Sequence, residues 1–115
     1  MKSIKKVKEK LLPIIEARLQ EGFYLSRGGL SAGFHNDEGG VCLAGIVCAD
    51  RLRNSCFFNY RDLSAKRVGL SIGEWSNLES GFESKDLGRP LNTFEHKLVD
   101  LGAEIASTYG AIRET

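Results

Sequence analysis

The sequence predicts a mostly α single domain of about five helices, with a small two-stranded β-hairpin at residues about 23–40. Three observations predict it. Apolar residues recur at three- and four-residue steps toward both ends of the chain. Three Asn or Ser residues each stand three places ahead of an acid, the reciprocal pattern that satisfies the orphan donors at a helix start. Between these patterns lies one glycine-rich stretch that breaks both. At 115 residues the chain suffices for one modest core.

The first helix rests on Ile4, Val7, Leu11, Ile14, Ile15 and Leu19, which share one stripe. Pro13 lies inside the stripe and cannot donate a backbone hydrogen bond. It predicts either a kink or a stable helix that begins only near Leu12. Gly22 is the expected stop. Next comes GFYLSRGGLSAGFHNDEGGVC, with six glycines in 21 residues. Phe23–Leu25 and Leu30–His35 read as short strands, turned by RGG and closed by NDEGG. A two-stranded hairpin is marginal unless it packs on helices, so this part is expected to form a flap on a helical body.

Leu43, Ile46, Val47 and Leu52 suggest a second helix from about Cys42 to Arg53, weakened at Gly45 by about 1 kcal/mol relative to Ala. The three capped starts follow: Asn59 with Asp62, Ser71 with Glu74, and Asn92 with Glu95. Gly69, Gly81 and Gly110 are the matching stops. Phe94, Leu98, Leu101, Ile105 and Tyr109 define the last helix, Thr93 to Tyr109, and ESKDLGRP at 83–90 reads as a surface linker.

Charge is nearly balanced overall, at +1, and gives no general pull toward nucleic acid or anionic lipid. Its placement is uneven. Residues 2–10 hold five lysines against Glu9, residues 51–67 hold Arg51, Arg53, Arg61, Lys66 and Arg67 against Asp62, and residues 71–104 are acidic. A basic side of this kind suits an acidic partner or phosphate as well as plain solvation. Phe57, Phe58 and Tyr60 crowd the same basic segment, and aromatic residues are enriched where proteins meet proteins. Arg51, Arg53, Phe57, Phe58, Tyr60, Arg61, Lys66 and Arg67 therefore form the candidate interaction surface.

Chemistry is sparse. Cys42, Cys48 and Cys56 stand six and eight residues apart, with His35 and His96 distant, which is no zinc pattern. The glycines belong to neither phosphate-binding fingerprint. No cofactor, metal or catalytic residue is expected. The longest apolar run, VCLAGIVCA, is about half a bilayer span, so no membrane association is expected either. With no secretion signal ahead of an odd number of cysteines, the expected location is cytoplasmic with reduced thiols.

Residues 60–82 nevertheless carry a resemblance. Ala65 and Gly69 stand four apart, Leu70-Ser71 opens the next helix, Trp75 and Leu78 take its buried positions, and Glu79-Ser80-Gly81 closes it. This resembles the helix-turn-helix of lambda-repressor-like proteins, with CLAGIVCADRL standing in for a preceding helix. The resemblance implies a DNA-reading element in which Arg61, Lys66 and Arg67 clamp the backbone and Asn77 reads a base edge. The first turn of that helix offers Ile72, Gly73 and Glu74, and no Arg or Lys falls between Ser71 and Ser84. A looser resemblance over the whole chain, through the glycine-rich opening, CLAG, VGLS and GF, is to small uncharacterised bacterial and phage proteins, and implies no activity. The leading expectation is a non-enzymatic protein that binds a protein partner or itself. The alternative is a DNA-binding regulator using residues 60–81.

Overall fold

A computed structural model describes residues 2–27, 39–51 and 60–113. Among the described residues five α-helices pack around one core: α1 (Ile4–Gln20), α2 (Leu43–Val47), α3 (Tyr60–Arg67), α4 (Ile72–Glu83) and α5 (Thr93–Thr108). A small sheet adds β1 (Tyr24–Arg27), β2 (Gly40–Val41) and β3 (Ile112–Arg113). The mostly α class with a small β element is thus as expected.

The β element lies where the glycine-rich sequence places it, but its pairing differs from a hairpin. β1 and β2 run parallel, with Tyr24 opposite Gly40 and Leu25 opposite Val41. β3 joins the other side of β1, also parallel, with Ser26 opposite Ile112. Parallel neighbours need a return connection of about a dozen residues rather than a tight turn. Most of that connection, 28–38, including the expected second strand Leu30–His35, lies outside the described residues.

α1 begins at Ser3, whose hydroxyl accepts from the Lys6 N–H, and runs without a break through Pro13. Both Pro13 and Glu9, whose carbonyl loses its helical donor there, are exposed, so water can serve the orphan group. Val7, Leu11 and Ile15 are its buried stripe. Gly22 ends it at a positive φ of 104°, where the Phe23 N–H returns to the Arg18 carbonyl.

The helix expected from Cys42 to Arg53 is shorter than its periodicity suggests. α2 ends at Val47, and Ala49–Arg51 forms a single 3-10 turn. The cause is long-range. A continuing helix would give the Val47 carbonyl to the Arg51 N–H, but Arg67 donates to that carbonyl at 2.9 Å. The Arg51 N–H turns instead to the Cys48 carbonyl.

Two of the three capped starts form in full. Ser71 with Glu74 and Asn92 with Glu95 each make both reciprocal bonds. The third, Asn59 with Asp62, involves a residue outside the described ones. Gly69 and Gly110 end their helices at positive φ as expected. Gly81 does not. α4 passes through it to Glu83 and closes on Ser84, which takes the left-handed conformation at φ 61°. Gly81 has a different task. A Cβ there would stand 1.9 Å from the Val99 carbonyl oxygen, and one at Gly102 would stand 2.1 Å from that of Leu78. The two glycines let the backbones of α4 and α5 touch, which makes this pair the spine of the core.

Candidate interaction surface

The described part of the sequence-derived surface comprises Arg51, Tyr60, Arg61, Lys66 and Arg67. Arg53, Phe57 and Phe58 lie outside the described residues. Tyr60 is buried, and its hydroxyl donates to the Arg51 carbonyl at 3.3 Å. It is a strut beneath the segment rather than a contact on top of it.

The cations are individually engaged. Arg67 grips Asp50 with two nitrogens, at 2.7 and 3.0 Å. That bond holds the Asp50 carboxyl below its ordinary value and raises the guanidinium. Arg61 reaches across to Glu79 at 2.7 Å. Burial pushes the Glu79 carboxyl up, and Arg61 only partly opposes this. Lys66 pairs with Asp62 one turn back, and Arg51 lies 3.6 Å from Asp50. A run of positive letters in the sequence therefore folds into a surface of alternating sign. Asp50 and Glu79 lie far from their partners along the chain, so composition over 51–67 gave no hint of them.

α3 and α4 meet at a corner turned by Gly69. Ala65 is buried, Gly69 turns the chain at φ 75°, and the Leu70 N–H returns to the Ala65 carbonyl. Trp75 and Leu78 are fully buried. The residue assigned to base reading sits elsewhere. Asn77 is 0% exposed; its amide nitrogen donates to Glu95 at 3.1 Å and its oxygen accepts from Arg89 at 3.0 Å. Arg89 also binds Glu95, so the three residues pin the 84–92 connection onto α4 and α5. The Asn92 backbone N–H, then Arg89 and Asn77, hold the Glu95 carboxyl down at about 2. The Asn77 amide would meet a base only if this cluster opened.

Glu74, in the first turn of α4, pairs with Lys2, just ahead of α1. Desolvation pushes its carboxyl up, but Lys2 and Ser71 together outweigh that and leave it below its ordinary value. Sequence reasoning missed this link, because 72 positions separate the partners.

The two described cysteines are structural. Cys42 caps α2, its sulfur accepting from the Gly45 N–H at 3.3 Å. Cys48 is fully buried, 3.2 Å from the Ser64 hydroxyl, which itself donates to the Ala44 carbonyl. Burial pushes the Cys48 thiol up, which suppresses the nucleophilic thiolate. His96 is exposed on α5, whereas His35 and Cys56 lie outside the described residues. Among the described residues, no three His, Cys, Asp or Glu side chains gather to hold a metal, and no helix is long and apolar enough to cross a membrane. No protein family, curated protein or solved structure matches the chain.

Proposed function

We propose that this chain is a non-catalytic cytoplasmic protein that acts by binding another protein. The observation that carries the reading is the pairing of the 51–67 cations. A surface that clamps phosphates keeps its guanidinium groups available, whereas Arg61 and Arg67 already face Glu79 and Asp50. Mixed charge around apolar area is the usual rim of a protein–protein interface, and Ile72 is a large apolar side chain left 50% exposed in the first turn of α4. The buried, proton-holding Cys48 supports the non-catalytic part of the reading. The buried, reduced Cys48 thiol supports the location.

One observation favours a second reading, a DNA-binding regulator: the α3–Gly69–α4 corner is formed. The two readings separate in one experiment. A labelled duplex titrated with the chain across a salt series should show no binding beyond weak non-specific association. Duplex binding that weakens steeply with salt, and loses slope on Arg61→Ala with Arg67→Ala, would replace protein binding with DNA binding. Light scattering after size exclusion then distinguishes self-association from a separate partner.

A further inference from the structure

We propose that the groove between the first two turns of α1 and the α3–α4 corner seats an acidic, extended segment of a partner protein. This rests on the protein-binding reading and moves the contact away from residues 51–67. The groove encloses about 390 Å³ and is lined by Lys2, Lys6 and Lys10 on one wall, with Val7, Val68 and Gly69 among its other residues.

Lys6 and Lys10 stand four residues apart on one face of α1, their stems about 6 Å apart, and Lys2, just ahead of the Ser3 cap, lines the same groove. Lys2 already holds a carboxylate, that of Glu74. Lys6 and Lys10 present the same ammonium to the same groove, and among the described residues no carboxylate lies within ion-pairing distance of either. In an extended chain alternate side chains point the same way at intervals of about 6.6 Å, which nearly matches the spacing of Lys6 and Lys10. Two acids separated by one residue would thus continue the series that Glu74 begins. Gly69 keeps the opposite wall low: a Cβ there would come within 3.2 Å of the Lys10 Nζ. The apolar neighbours Val7 and Val68 exclude water and strengthen each pairing.

The test is fluorescence anisotropy with a labelled peptide in which Asp and Glu alternate with Leu, set against a labelled oligothymidylate and inorganic phosphate as competitor. Wild-type chain is expected to bind the peptide at low salt. Lys6→Glu with Lys10→Glu should weaken it by roughly tenfold or more, while Lys97→Glu on α5 should leave it unchanged. Circular dichroism melts confirm that each variant keeps its fold. Absence of peptide binding, equal binding by the double variant, tighter oligothymidylate binding with the same lysine dependence, or displacement by phosphate alone would each overturn the groove assignment. Failure of the broader reading is seen separately, in duplex binding. A partner retained undiminished by the double variant would leave protein binding standing and reject only the groove.

Discussion

Replacing Gly81 by Ala asks whether the direct backbone contact between α4 and α5 organises the core. Taken alone, α4 should gain about 1 kcal/mol, since Ala is the better helix former. The tertiary structure reverses the sign. The new methyl would stand 1.9 Å from the Val99 carbonyl oxygen, against an ordinary contact of 3.4 Å or more, so the helices must part by about 1.5 Å. Backbone atoms cannot rotate aside as a side chain can. Overpacking of this kind costs about 1–3 kcal/mol, and a gap of an ångström forfeits up to half of each dispersion contact along the interface. We expect a net loss of about 2–4 kcal/mol, read as a lower urea midpoint with an unchanged m-value. Gly102→Ala should cost a similar amount, and the double variant should cost less than the sum, because one separation relieves both clashes. Equal or greater stability of Gly81→Ala would mean that propensity governs α4 and that the two backbones do not touch.

Two further outcomes test the polar architecture. Asn77→Ala should lower stability by about 1–2 kcal/mol in urea unfolding, since it strips a fully buried amide from Arg89 and Glu95; a residue held at a free surface for reading bases would leave the midpoint unmoved. Glu95 is held at about 2 against an ordinary 4.5, so its carboxylate binds the folded state more strongly than the unfolded one. That contribution is complete above about pH 4.5 and is lost as pH falls toward about 2, with the lowered Asp50 and Glu74 acting in the same direction. Glu79, raised by burial, acts in the opposite sense and gives stability back as it protonates. Urea midpoints across this acid range should fall less steeply in Glu95→Gln than in wild type; parallel profiles would exclude the role assigned to Glu95.

The legible parts of the fold were those written within one turn of helix. Ser71 with Glu74 and Asn92 with Glu95 name their own hydrogen bonds, and the Thr93 start of α5 follows from the second of them. What depended on an opposing surface was hidden. Gly81 looks like Gly69 on the page, yet one ends a helix and the other admits a neighbouring backbone; the sequence records a missing side chain, not what stands in its place. The parallel pairing of β1 is hidden for the same reason, because turn glycines speak of local reversals while β1 pairs with β2 and β3 at longer range. The candidate surface looks basic in the sequence because Asp50 and Glu79 answer Arg67 and Arg61 from other elements. Asn77 enters the sequence only as a base contact implied by the helix-turn-helix resemblance, because a polar residue on an amphipathic helix gives no sign that Arg89 will fold over it.

Trp75, the single tryptophan, is fully buried in α4. The molecule therefore carries an intrinsic optical probe at its centre. Emission should be blue-shifted and poorly quenched by acrylamide while α4 is seated, and should move to the red when that helix lifts from the core. Binding at the α1 groove and unfolding of the whole chain would consequently leave different spectral traces without any attached dye.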